Sequence, residues 1–185
     1  LFYLGKKPLS YCEGRRGSEF SFFPGTENII SSKENLFQII EGKDKKNWID
    51  DFDLLITSDC GSLERTNLAL EINNRQKAFL IEFDHHQKIA SSADLEIRLP
   101  EKSSTAELLY DFLSANNINI DKRLATNILT GIITDTGSFL YPSASASTLS
   151  VAAKMPSRGA NINKIISAVL QNKKMTTLKL LSRAL

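Results

Sequence analysis

"AFLIEFDHHQ" spans Ala78 to Gln87: an almost wholly apolar run, then an aspartate and the only two histidines of the chain, His85 and His86. A continuous apolar run this short has neither the stripe nor the length of a helix. It reads as a strand buried on both faces, the kind that occurs in parallel sheets. Upstream, "DFDLLITSD" (Asp51 to Asp59) contains a second such run, Leu54 to Thr57. Between them "SLERTNLALEINNRQK" is predicted helical, capped near Ser62 and ended near Asn73-Asn74. Downstream, "ADLEIRLP" (Ala93 to Pro100) alternates and reads as an edge strand. Strand, helix and strand in turn predict an α/β fold with a mostly parallel sheet covered by helices on both faces.

Working outward, "LFYLGKK" reads as the end of a helix and "KKPLSYCEG" as a short strand with Pro8 at its start, where a missing N–H costs no ladder bond. Ser31 and Glu34 fit a capping box ahead of Leu36, Phe37, Ile39 and Ile40. Three helices follow the edge strand: "STAELLYDFLSANNI", capped at Ser103 or Ser104; "DKRLATNILTGIIT", capped at Asp121; and "SASTLSVAAKMPSRG", stopping near Gly159. Beyond it Ile162, Ile165, Ile166, Val169 and Leu170 share one helical stripe. The expected organisation is a main domain over residues 1–155 and a helical segment, 156–185, leading to a second domain.

The 185 residues suit one domain of ordinary size, and a 42% apolar share supplies its core. No run approaches the roughly 18 apolar residues of a membrane span, so a cytoplasmic protein with no membrane partner is expected. Cys12 and Cys60 form no CxxC or zinc pattern and read as reduced thiols. The net charge of +2 hides an asymmetry: Val151 to Leu185 carries +7 with no acid, leaving −5 for the rest. An acidic body beside a basic segment suits metal ions in one place and a phosphate chain in another; basic residues at these spacings also suit the wet faces of helices.

In open α/β sheets ligands bind beyond the C-terminal ends of the strands. Asp59 follows one predicted strand, and Asp84, His85 and His86 end another, so both deliver polar residues to the same rim. Asp135, in "GIITDTGSF", stands where an apolar helix gives way to a turn at Gly137. Carboxylates with imidazole suit a divalent cation such as Mn²⁺, and two such ions can clamp an in-line displacement at phosphorus. Each Asp alone also suits a cap or a turn. Adjacent histidines are harder to explain that way, because two imidazoles are not buried cheaply without partners.

Taken together, "TSDCGSLERT", "FDHHQ" and "GIITDTGSF", in that order and spacing, resemble the DHH phosphoesterase family. "SSTAELLYDFL" and "ATNILTGIITDTGSFLYPSASASTLSVAAKM" are similar to its bacterial bifunctional oligoribonuclease and pAp phosphatase (NrnA-like) branch. The resemblance runs from about Lys7 to the end. It implies a metal-dependent hydrolase with two Mn²⁺ ions. Asp59 matches the carboxylate bridging them, and His85 and Asp135 match ligands of the second ion. His86 matches the histidine facing the scissile phosphate, and Asp84 the carboxylate that orients its neighbours; these two form the catalytic pair. Thr136, and less so Ser104, whose main task is helix capping, are hydroxyls near the rim that would meet the substrate. The implied partners are short single-stranded RNA or a nucleotide such as 3′-phosphoadenosine 5′-phosphate (pAp), and a second copy of the chain in a homodimer.

The resemblance has gaps. The family's HxxPDxD-like first motif, which supplies ligands of the first ion, would lie upstream of "LFYLGKK", and the glycine-rich substrate-binding domain would lie downstream. The residues present are therefore expected to hold one metal weakly and to have weak or no activity alone. Two alternatives stay open: a catalytically impaired nucleotide-binding module, and a cyclic dinucleotide phosphodiesterase of the same family.

Overall fold

The computed structural model describes residues 5–14, 21–40, 48–87 and 92–171, with no account of the side chains of residues 170 and 171. Within it lie β1 (Ser10–Tyr11), β2 (Ile29–Ile30), α1 (Lys33–Ile39), β3 (Leu54–Ser58), α2 (Ala69–Asn73), β4 (Phe79–Asp84), β5 (Leu95–Arg98), α3 (Thr105–Ala115), α4 (Lys122–Asp135), α5 (Ala146–Ser157) and α6 (Ile162–Ile166). The fold is α/β, as the strand and helix pattern predicts. All described strands pair in parallel: β1 with β2, and β3, β4 and β5 in that order, so β5 is an edge of its sheet among the described residues.

Two stitches fix the three-stranded sheet before its side chains are considered. The Asp50 carboxylate accepts the backbone N–H groups of Gln76, Lys77 and Ala78 at 2.8–3.1 Å, setting the entry to β4. Asp94 accepts the Leu80 N–H at 2.8 Å and pairs with Arg75 at 3.0 Å, holding β5 against β4.

The pleat sends alternate residues to opposite faces. Leu80 and Leu55 join a core made with Leu36, Ile40, Trp48, Ile49, Leu68 and Ile72. On the other face Phe83 stands edge-on to Phe112 of α3, with ring centroids 5.0 Å apart. Coverage of that face is uneven: Leu54, Ile56, Phe79 and Leu95 are exposed in the described structure.

A second core lies within the helical layer, where Ile128, Leu129, Ile132 and Ile133 of α4 pack with Val151, Ala152 and Met155 of α5 and with Ile165 of α6. The helices start where small polar residues can cap them. Ser104, Asp121 and Ser145 each accept the N–H three residues on.

Three local features differ from the sequence reading. The cap of α1 is Ser32, bonding Asn35 N–H, one residue later than the Ser31–Glu34 box. The predicted helix from Ser62 is split: a 3₁₀ turn, Leu63–Thr66, ends at Asn67 in the left-handed region (φ 57°), and α2 begins at Ala69. Asn tolerates that conformation, which ends regular helix. After α6 the chain passes into a π-helical turn, Ser167–Gln171. The predicted helix end at Leu1 to Leu4 and the segment 172–185 lie outside the described residues. Cys12 and Cys60 are free, and no described helix is long and apolar enough to cross a membrane.

Candidate active site

The C-terminal ends of β3 and β4 and the N-terminus of α3 meet at one rim, which the C-terminal end of α4 also reaches. Asp59 follows β3 with φ 61°, a conformation few side-chain-bearing residues adopt and one that clusters at functional sites. Its N–H donates to the Phe83 carbonyl at 3.0 Å, tying the turn to β4. Its Oδ1 accepts the Thr105 hydroxyl at 2.8 Å. Thr105 is the first residue of α3 and is buried, so this hydroxyl is fixed and the carboxylate with it.

His85 Nδ1 lies 3.3 Å from the Lys102 carbonyl oxygen. A carbonyl can only accept, so Nδ1 carries a proton, and in the neutral ring Nε2 is then the nitrogen with the lone pair. Nε2 faces Asp59 Oδ1 at 3.5 Å and Asp135 Oδ2 at 3.8 Å. Metal-binding imidazoles are oriented this way, with the far ring N–H anchored on an oxygen. Donors bonded to one ion at about 2.1 Å sit roughly 3–3.5 Å apart, close to these two separations. Asp59, His85 and His86 place ligand atoms within 4.8 Å of one another, the one such group among the described residues.

His86 is held differently. Its N–H and its Nδ1 both lie on Asp84 Oδ1, at 2.9 and 2.6 Å. Nδ1 is thereby engaged, which leaves Nε2 as the free ring nitrogen. Asp84, the last residue of β4, is fully buried. Its Oδ2 accepts the Gly61 N–H at 2.6 Å. Burial alone would raise the Asp84 pKa. The bonds from His86 and Gly61 and the charge of Arg98 outweigh it and hold the carboxyl below its usual range.

Asp135 ends α4, at the negative end of the helix dipole. Burial raises its pKa, and the Asp59 charge raises it further. The Asp59 and Asp135 carboxylates thus flank His85 Nε2, an arrangement that would suit a divalent ion. After Asp135 the backbone turns through three successive left-handed residues, Gly137, Ser138 and Phe139. Thr136 holds this turn: it is fully buried, its hydroxyl donates to Ile132 O at 2.6 Å and accepts Phe139 N–H at 3.0 Å. The hydroxyl expected at the rim is therefore engaged inside the loop. Ser104 is likewise buried, capping α3 through Glu107 N–H.

The three sequence motifs come together in one place, and the profile described as DHH family, N-terminal domain, matches residues 17–132. The chain belongs to the DHH family. The DHH chain is 30% identical over 89 residues to the bifunctional oligoribonuclease and PAP phosphatase NrnA of Thermus thermophilus, covering 48% of this chain and 28% of that protein. It is 28% identical over 149 residues to a Mycoplasma pneumoniae protein, an MG371 homolog, covering 80% of this chain and 45% of that one. The chain thus spans less than half the length of these two relatives. A crystal structure of an exopolyphosphatase-related protein from Bacteroides fragilis superposes with a TM-score of 0.77 at 24% identity, over 90% of this chain and 48% of that one. That likeness concerns the fold.

Sequence reading overlooked several residues of this DHH site. Thr105 carried a faint signal, being a second hydroxyl beside a predicted cap. Gly61, left-handed at φ 67°, carried one in the "DCGS" turn. Lys102 acts through its backbone carbonyl, which no side-chain pattern reveals. Glu107, buried and bonded by Ser103, Ser147 and Thr148, ties the start of α3 to that of α5; a lone Glu in a helix gives no sign of this.

Proposed function

We propose that these residues form the metal and phosphate site of a manganese-dependent phosphoesterase that hydrolyses short oligoribonucleotides to mononucleotides, and pAp as well. The observation that carries the reading is the His85 ring: Nδ1 anchored on Lys102, and Nε2 aimed between Asp59 and Asp135. Asp59, His85 and Asp135 would hold a divalent ion. Such an ion supplies positive charge to a phosphoryl oxygen and lowers the pKa of a bound water.

The chain's own groups do the rest. Asp59, its Oδ1 fixed by Thr105, faces His85 Nε2 and would serve as a metal ligand. His86, its Nδ1 on Asp84, turns Nε2 to a non-bridging phosphate oxygen. Asp84 keeps that ring from rotating. The substrate class rests on the NrnA relative, whose name records both activities. Thr136 acts on the loop behind Asp135 and not on the substrate.

The test is hydrolysis by the full-length protein of a labelled RNA dinucleotide and of pAp, with Mn²⁺ added or chelated. Mn²⁺-dependent mononucleotide release is expected, abolished in His85→Ala and in Asp59→Ala with the circular dichroism spectrum unchanged. Undiminished turnover in His85→Ala would sink the metal assignment. Binding of both substrates without any turnover would favour a nucleotide-binding module, and cleavage confined to cyclic dinucleotides would move the chain to that branch.

A further inference from the structure

β5 contributes one more residue to the histidine pair. The β4–β5 register sets Arg98 directly opposite Asp84, and residues paired in a parallel ladder project to the same face. The Arg98 side chain is only 5% exposed. Its Nε donates to Glu96 at 2.6 Å and its Nη2 to Glu82. A buried guanidinium needs such partners, and they alone would describe an ion cluster within the sheet. Its Nη1 goes elsewhere. It donates to the backbone carbonyl of His86 at 3.0 Å, beyond the end of β4, and stands 3.6 Å from Asp84 Oδ2.

His86 is therefore gripped at three points: its N–H and its Nδ1 by Asp84, and its C=O by Arg98. Asp84 governs the ring and the entering peptide. Among the described residues, Arg98 holds the leaving peptide. Release of that carbonyl lets the His86 backbone rotate, and the ring moves with it.

We propose that Arg98 is a positioning residue, which through the His86 carbonyl and the Asp84 carboxylate fixes His86 Nε2 where a substrate phosphate must lie. It acts through His86 and touches no substrate. The proposal rests on the reading of His86 as the phosphate-facing histidine. The planar guanidinium reaches Glu82, Glu96 and the carbonyl at once, and an ammonium does not.

Arg98→Lys is the informative variant, because Arg98→Ala would remove a buried charge that Glu82 and Glu96 both bond and threaten the fold. In the full-length protein Arg98→Lys should lower kcat on the order of 10- to 100-fold, the scale of a small misplacement of a reacting group. KM and the Kd for Mn²⁺, read by calorimetry, should stay within about twofold. The second readout needs no turnover. In nitrogen-detected NMR of the histidine rings, assigned with His85→Asn, His86 should show a sharp, Nδ1-protonated signal in the parent protein. In Arg98→Lys that signal should broaden or split while His85 is unchanged.

An unchanged His86 signal in a folded Arg98→Lys protein overturns the proposal, whatever happens to turnover. So does a lowered melting temperature with kcat preserved, which makes Arg98 an ion-cluster residue only. Should the parent protein hydrolyse none of the substrates tried, the phosphoesterase reading fails, and the ring signals still decide whether Arg98 fixes His86.

Discussion

Thr105 and Lys102 decide how the two central donors meet. Asp59 stands on a left-handed turn with a half-exposed side chain, and a carboxylate there would sample several rotamers if nothing held it. The Thr105 hydroxyl, buried and 2.8 Å from Oδ1, selects one. Thr105→Val keeps the shape and removes the donor. The expected result is Mn²⁺ affinity weaker by about tenfold, the low end for losing a group that orients a ligand, with the melting temperature little changed. Calorimetry showing parent-like affinity would mean that Asp59 needs no support. The side chains singled out in the sequence, Asp59, Asp84, His85, His86 and Asp135, all lie at the rim. Residues that act by a backbone atom or a supporting hydroxyl were not legible there. Lys102 matters through its carbonyl and Gly61 through its N–H, and every residue type but proline offers both groups, so no letter in the sequence marks them.

At the scale of elements, the site depends on how closely α3 and α4 approach, because α3 carries Thr105 at its start and α4 carries Asp135 at its end. Gly131 sits in the middle of α4, where alanine would ordinarily gain about 1 kcal/mol of helix propensity. A Cβ at that position would lie 2.5 Å from the Ala106 Cβ, far inside contact distance. The clash is between short, stiff groups on two packed helices, so the helices themselves must part. Gly131→Ala should therefore destabilise, by roughly 1–3 kcal/mol for overpacking, despite its better propensity. Thermal unfolding reads the sign, and adding Ala106→Gly should recover most of the loss. A melting point at or above the parent's would show the approach to be loose. The helices α3 and α4 were legible from the capping residues ahead of them, and α5 from its stop near Gly159. The break at Asn67 was not, since a single left-handed residue leaves the surrounding periodicity intact.

For the whole molecule, the charges at the rim link stability to pH and to metal, and in the metal-free protein two groups of carboxylates pull in opposite directions. Glu107 is buried, which alone would raise its pKa, but the bonds from Ser103, Ser147 and Thr148 outweigh this and hold it below the usual range, as similar bonds do for Asp84. Groups with a lowered folded-state pKa contribute stability above their unfolded values, near pH 4, and lose it as pH falls through the folded values. Asp135 is the reverse: burial and then Asp59 raise its pKa, so the stability of its protonated form is present below about pH 4 and is lost as pH rises through its folded value. Between acid and neutral pH the metal-free protein thus gains from Glu107 and Asp84 and gives part of this back at Asp135. A divalent ion bound between Asp59 and Asp135, as proposed, would reverse only the second effect. Mn²⁺ should therefore stabilise strongly at pH 7, by about 2.7 kcal/mol at a concentration 100 times its Kd, and progressively less as pH falls towards 4 and the carboxylates bind protons instead. Melting temperatures from pH 4 to pH 8, with and without Mn²⁺, measure this directly. In Asp135→Asn the metal-free protein should lose the opposing term, so that its stability rises more steeply with pH than the parent's, and the Mn²⁺ increment at pH 7 should shrink. An increment independent of pH, or one fully retained in Asp135→Asn, would place the ion away from Asp135 and leave that carboxylate's raised pKa with no part in metal binding.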